Sequence, residues 1–126
     1  MLTETIYGQV VAKANHYQAV PGKNGEKRII KDDVIRAYES SFCQQCVKYR
    51  HKRINQPMRI FLKVYFKHNN YDLDNAVKTI LDCLQYCDAI TNDNLVMDIH
   101  AQKFISAINP RVEFSIEEIQ PKLFEL

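Results

Sequence analysis

Residues 58–67 read MRIFLKVYFK, and this stretch decides the fold because it is the clearest strand in the chain. Its apolar residues Ile60, Leu62, Val64 and Phe66 alternate with other side chains. A period of two is typical of a strand that buries one face. We therefore predict a strand on which these four residues face one way, while Arg59, Phe61, Lys63, Tyr65 and Lys67 face the other.

The segments that follow this strand predict a helix and two further strands. After a polar turn at residues 68–70, residues 72–86 carry an apolar stripe at helical spacing, formed by Val77, Ile80, Leu81 and Leu84. Residues 94–106 and 112–116 alternate between apolar and polar side chains again, which predicts strands.

The segments before residues 58–67 predict a strand, a loop and a helix. Residues 4–13 alternate loosely and suit a first strand. Residues 14–30 are polar and contain prolines and glycines, which predicts an exposed loop. Asp32 or Asp33 can cap a helix whose apolar residues are three and four apart, from Ile35 to Tyr49, and which ends in a basic cluster.

The order β-α-β-α-β-β predicts a single small α+β domain over residues 1–126, with one mixed sheet and two helices. The chain has 126 residues, of which 46% are hydrophobic and 25% charged, and these values exclude a disordered or fibrous protein. No segment suits a membrane span or a signal peptide, so we expect a cytoplasmic protein without a membrane partner. No glycine-rich phosphate loop occurs, so no nucleotide cofactor is expected.

The four cysteines allow two interpretations. Cys43 and Cys46 form a CxxC pair, and Cys83 and Cys87 lie four apart, which is compatible with a zinc or redox site. Both pairs, however, fall in predicted helices without turn residues beside them. We therefore favour reduced thiols that pack as small apolar side chains.

The net charge of +2 conceals a strong asymmetry along the chain. Residues 1–70 carry 13 Lys and Arg against 5 Asp and Glu, a net +8, whereas residues 71–126 carry 4 against 10, a net −6. This split indicates a basic partner-binding surface beside an acidic site, or merely an uneven solvated surface. The basic candidates for phosphate contacts are Lys23, Lys27, Arg28, Lys48, Arg50, Lys52 and Arg53.

The candidate catalytic residues lie between the strand predicted at residues 58–67 and the second predicted helix. Asp72 and Asp74 can converge at the helix N-terminus, and Asp93, which precedes a later strand, is the best candidate for a third carboxylate. Clustered carboxylates are the ligands of Mg²⁺ or Mn²⁺. The alternative is a helix cap followed by a ladder of ion pairs, since Asp74, Lys78 and Asp82 are spaced four apart.

The run Asp-x-Asp-Asn-x-x-Lys-x-x-x-Asp-x-Leu over residues 72–84 resembles the central motif of the RusA family. These are small, mostly bacterial and phage endonucleases that resolve Holliday junctions. Asn15 and Tyr17 are similar to the segment after the family's first strand, and Lys103 with residues 110–113 is similar to its C-terminal hairpin. The resemblance covers most of the chain.

The resemblance implies a homodimer that requires Mg²⁺, or Mn²⁺ in its place, and cuts four-way DNA junctions with paired symmetric nicks. It implies that Asp72, Asp74 and Asp93 are catalytic metal ligands and that Lys78 is an essential lysine. Asn75, Asp82 and Asn92 would lie next to these groups, and Asn92 stands where the family usually has another aspartate. It also implies DNA contacts by the basic residues above, by Asn15 and by Lys103. The alternative is a catalytically inactive relative that only binds DNA.

Overall fold

The computed structural model describes residues 2–12, 17–25, 27–31 and 33–120. In chain order these residues form β1 (Glu4–Tyr7), β2 (Tyr17–Pro21), β3 (Lys27–Lys31), α1 (Asp33–Gln45), β4 (Met58–Phe66), α2 (Leu73–Tyr86), β5 (Val96–Ile105) and β6 (Arg111–Glu118). Four strands form one mixed sheet in the order β1-β6-β4-β5, and β2 pairs with β3 in a separate two-stranded sheet. The α+β class, with two helices and a mixed sheet, is confirmed.

Strand β4 lies between β6 and β5, and its residues alternate between two faces as the sequence predicts. Its even-numbered residues, Met58, Ile60, Leu62, Val64 and Phe66, are at most 1% exposed. Both helices contribute to the same core, because Phe42 of α1 and Leu84 of α2 belong to the cluster that contains these strand residues. Phe42 also stacks on Phe114 of β6, with ring centroids 5.9 Å apart. Burial of this one face holds the helices on the sheet.

The direction of the strands decides where the functional residues lie. β5 is parallel to β4, with Val96 beside Met58 and Ile105 beside Phe66. β6 is antiparallel to β4 and to β1. Helix α2 connects the end of β4 to the start of β5, as a parallel crossover requires. The N-terminus of α2 therefore lies at the Phe66 end of the sheet and its C-terminus at the Met58 end.

Three local expectations are wrong. Strand β1 ends at Tyr7, so it is shorter than the first strand expected over residues 4–13. Residues 17–21 and 27–31 form the β2–β3 hairpin with Pro21 opposite Lys27, where we expected a loop. Helix α1 ends at Gln45, so the basic residues from Lys48 to Arg53 lie beyond the helix and not in its last turn. Tyr49 is nevertheless buried, and its hydroxyl accepts a hydrogen bond from the backbone N–H of Ile116 at 3.1 Å.

The cysteines are packed as the favoured interpretation predicts. Cys46, Cys83 and Cys87 are buried in the core and Cys43 is half-buried. The thiol of Cys46 donates to Cys87, which raises the pKa of Cys46 and lowers that of Cys87. Among the described residues, no helix has the length and apolar character needed to cross a membrane.

Candidate active site at the start of the second helix

The start of α2 exposes two carboxylates. Asp72 is the N-cap residue, with φ −94° and ψ 131°, yet its side chain makes no capping hydrogen bond. Asp74 lies in the first helical turn, and both residues are exposed. The Asn75 amide donates to Asp72 Oδ2 at 3.4 Å, which ties the amide to this pair. Asp72 therefore does not serve the capping role that the alternative interpretation assigned to it, although the N-terminal dipole still tolerates its charge.

The loop before α2 is held in place by aromatic stacking and by Lys103. Tyr71 stacks on Phe66 with ring centroids 5.3 Å apart and on His68 at 4.7 Å. Lys103 Nζ donates to the carbonyls of Tyr71 at 2.6 Å and of Asn69 at 3.1 Å. Lys103, expected to contact DNA, thus supports the loop that presents Asp72. The sequence carried no signal for this role.

Lys78 stands on the exposed side of α2, one turn after Asp74. Its Nζ lies 3.3 Å from Asp82 Oδ1, and the lysine side chain is 68% exposed. The i, i+4 spacing places both groups on one helix face, as the sequence predicts. The amine is thus tethered by Asp82 but remains accessible to a ligand that approaches Asp74.

Asp93 lies at the opposite end of α2. Its backbone N–H donates to Oε1 of Gln85, which is in the last turn of the helix. The rise along α2 from Asp74 to Gln85 is about 16 Å, whereas two oxygens on one Mg²⁺ are at most about 4 Å apart. Asp93 does precede a strand beside β4, as expected, but the parallel direction of that strand separates it from Asp72 and Asp74. The connection through a single helix was a sequence signal for this direction.

The carboxylates at the start of α2 are ligands of the kind that Mg²⁺ prefers, but one chain brings too few of them together. Within residues 2–12, 17–25, 27–31 and 33–120, no group of three His, Cys, Asp or Glu residues is positioned to hold a metal ion. Asn92 is not a spare oxygen donor either, because its Oδ1 accepts the backbone N–H of Asn94 at 3.0 Å. Asp72, Asp74 and Lys78 lie within the N-cap and first two turns of α2, whereas Asp93 of the same chain lies beside the last turn of that helix.

The basic residues after α1 have protein partners as well as exposed surface. Lys48 Nζ donates to the carbonyl of Thr3 at 2.7 Å, and Arg50 Nη1 donates to that of Cys43 at 3.2 Å. Lys52 lies over the Tyr49 ring at 5.2 Å.

Arg53 lies 3.7 Å from Asp88 and has φ 50°, in the left-handed region. Lys23 is exposed at the tip of the hairpin, and Lys27 and Arg28 lie on β3. Asn15 lies outside the described residues.

A carboxylate pair at the start of an exposed helix, with a lysine one turn further along, defines a candidate phosphodiester hydrolase. The chain matches the family model described as Endodeoxyribonuclease RusA over residues 8–117. It therefore belongs to the RusA family of endodeoxyribonucleases, the Holliday junction resolvases, and the family resemblance of the helix motif is confirmed. No curated protein matches the chain.

Proposed function

We propose that this chain is a Mg²⁺-dependent endonuclease, with Mn²⁺ able to substitute, that resolves four-way DNA junctions by paired symmetric nicks. It acts as a homodimer in the cytoplasm. The observation that carries the proposal is the carboxylate of Asp72, which occupies the N-cap position without capping α2. The Asp72 carboxylate accepts the Asn75 amide at 3.4 Å but caps no backbone N–H of the helix, so it keeps oxygen lone pairs for ligand chemistry beside Asp74 and Lys78. This site lies within the segment that matches the nuclease family.

The charge of the site supports a divalent cation. Asp72 and Asp74 are exposed and place two negative charges where a phosphate must approach. A phosphodiester would be repelled there unless a cation neutralised the pair. Carboxylate oxygens are the ligands that Mg²⁺ and Mn²⁺ prefer. Such an ion would supply charge neutralisation and a bound water of lowered pKa.

The side chains of the chain have separate tasks in this proposal. Hydrolysis consumes one water, whose oxygen forms a bond to phosphorus while the bond to the leaving sugar oxygen breaks. Lys78 donates hydrogen bonds to the phosphate as negative charge grows on it. Asp82 holds the Lys78 amine at 3.3 Å, and Asn75 holds Asp72 through its amide. Asn92 supports the turn before β5 through its cap on Asn94.

The surface proposed to bind DNA combines the hairpin with the segment after α1. The contacts would come from the exposed ends of Lys23, Lys48, Arg50, Lys52 and Arg53, together with Lys27, Arg28 and Asn15. Cations on a mixed surface of this kind bind phosphate without reading sequence. Lys103 would act indirectly, because two of its donors are used by the loop carbonyls.

A homodimer is favoured by the symmetry of the substrate. A four-way junction presents two equivalent phosphates, and a two-fold dimer presents two equivalent sites. Paired nicks would then follow from one binding event. We therefore propose that the junction is cut by both chains of a dimer.

The test is cleavage of a labelled synthetic four-way junction with Mg²⁺, with Mn²⁺ and with EDTA. Wild-type protein is expected to nick two opposing strands only when a divalent ion is present. Asp74→Asn is expected to bind the junction with unchanged affinity and to lose nicking. The matched control is Asp33→Asn, which removes the equivalent first-turn acid of α1, whose side chain is fully solvated. Cleavage by Asp74→Asn at the wild-type rate would refute the assignment.

A second candidate function is junction binding without cleavage. The observation that favours it is the use of Asn92 as a cap where the family usually has an acid, combined with the separation of Asp93 from Asp72. Binding of the junction without any nick in either Mg²⁺ or Mn²⁺ would support this second candidate and contradict the nuclease.

A further inference from the structure

The connection between β4 and α2 carries three aromatic rings in stacked contact beside the proposed site. Tyr71 stacks on Phe66 with ring centroids 5.3 Å apart and an angle of 9° between the rings. His68 stacks on Tyr71 with centroids 4.7 Å apart and an angle of 25°. Phe66 is buried, Tyr71 is half-buried and His68 is exposed. This ring row, formed by Phe66, Tyr71 and His68, therefore starts in the core and ends at the surface.

Hydrogen bonds hold the exposed end of the ring row in place. Lys103 Nζ donates to the carbonyls of Asn69 and Tyr71, which fixes the loop backbone on both sides of Asn70. The backbone N–H of Asn70 donates to Nδ1 of His68 at 3.3 Å, which fixes the orientation of the imidazole ring. A ring that is already held in one orientation loses little conformational entropy when a ligand stacks on it.

The ring row lies next to the carboxylates of the proposed site. Tyr71 directly precedes Asp72, and both residues line one small recess together with Phe66. Residues 68–77 contain neither Lys nor Arg, so the loop offers DNA no permanent cation beside these carboxylates. An exposed ring needs no charge to bind a nucleobase, because every base has a π face. The loop is therefore better suited to holding a base than to holding a phosphate.

We propose that His68 is a stacking platform for an unpaired nucleobase of the DNA strand that is cut, and that Tyr71 and Phe66 hold its ring in place. The base is one that flanks the scissile phosphate, because the platform and Asp72 belong to one short loop. A base at the crossover of a junction is unstacked more easily than a base within a duplex, and this difference is a source of selectivity. The inference rests on the proposed function and names the part of the substrate that the site recognises.

The first test measures binding of a labelled four-way junction in EDTA, so that no strand is cut. His68→Ala is expected to weaken binding by at least about fivefold, the effect of losing one base–aromatic stack. The salt slope of binding should stay unchanged, because no phosphate contact is lost. His68→Phe keeps an aromatic ring and is expected to bind as wild type does. His68→Leu has a similar size without a ring and is expected to bind as weakly as His68→Ala.

The second test identifies the stacked base with a set of junctions that each lack one base near the crossover. Binding of wild-type protein is expected to weaken for the junction that lacks the stacked base. For that junction His68→Ala is expected to cause no further loss, because the two changes remove the same contact. For the other junctions the His68→Ala loss should persist. A loss of equal size on every junction of the set would contradict the platform.

The matched control is His100→Ala. Its side chain is 56% exposed and its ring stacks on Phe61 at 5.0 Å, on the face of the sheet opposite the buried residues of β4. It is expected to bind every junction as wild type does, and an equal loss in this control would overturn the platform. A wild-type protein that cuts the junction while His68→Ala binds it normally would keep the proposed function and refute the platform. A wild-type protein that binds no junction would refute both.

Discussion

Replacing Lys78 by methionine is expected to slow junction cleavage by at least two orders of magnitude while leaving the fold almost unchanged. Methionine keeps most of the length of the side chain and removes its charge. The Lys78 side chain is 68% exposed, and its amine lies 3.3 Å from Asp82 Oδ1. The charge is therefore free to meet a phosphate but contributes little to packing.

The expected changes in unfolding free energy and in cleavage rate both follow from the exposure of the Lys78–Asp82 pair. An exposed i, i+4 ion pair stabilises a helix by about 0.3–0.5 kcal/mol, so Lys78→Met should lower the free energy of unfolding by no more than this. A preorganised donor to a growing negative charge is worth about 2.7–4 kcal/mol, or a factor of about 10²–10³ in rate. Asp82→Asn removes the charge that tethers the amine, so its rate should fall about twofold.

The assay is single-turnover cleavage of a labelled four-way junction at saturating protein, with urea unfolding of the same preparations. Saturation separates the chemical step from binding. The control is Lys63→Met, which removes an exposed lysine from the opposite face of the sheet, paired in register with Glu113. It should cleave at the wild-type rate.

The reasoning would be refuted by either of two results. A Lys78→Met protein that cleaves within about threefold of wild type would show that the amine supplies no preorganised donor. A loss of more than about 1 kcal/mol of unfolding free energy would show that Lys78 has a structural role that its exposure does not explain.

Two further predictions concern charge. The hydrogen bond from Arg59 Nε, 2.6 Å from Asp98 Oδ2, holds the pKa of Asp98 below its usual range. The resulting stability is present above a pH of about 3.9 and lost as the pH falls through the lowered pKa. Arg59→Met should therefore melt below wild type at pH 7, and the difference should shrink under acid. Replacing Lys52 and Arg53 together by alanine should weaken junction binding and reduce the salt slope by about two units.

Each of these predictions has a result that contradicts it. If the melting temperatures of wild type and Arg59→Met differ by the same amount at pH 7 and under acid, the Arg59–Asp98 pair does not govern the acid response. For the double substitution, fluorescence anisotropy titrations at several salt concentrations give the slope. An unchanged slope would remove Lys52 and Arg53 from the phosphate contacts.

The sequence predicted an element correctly where its buried residues recur with the period of a strand or of a helix. The strand predicted at residues 58–67 is Met58–Phe66, and the helix predicted at residues 72–86 is Leu73–Tyr86. Both have a strong apolar face, so the core that they form agrees with their local preference. The hairpin was missed although Val20 and Ile29 flank a turn with Pro21 and Gly25, because the many polar residues concealed two short strands.

The sequence determined the α+β architecture and the nuclease motif. It also placed Asp72, Asp74 and Lys78 at the start of one helix. All of these depend on spacing within a few residues. Only the tertiary structure decided the rest. It frees the Asp72 carboxylate from capping, ties Lys103 to the loop before α2 and carries Asp93 to the far end of the sheet. The connection through one helix indicates the direction of β5, but the other outcomes depend on contacts that no local period encodes.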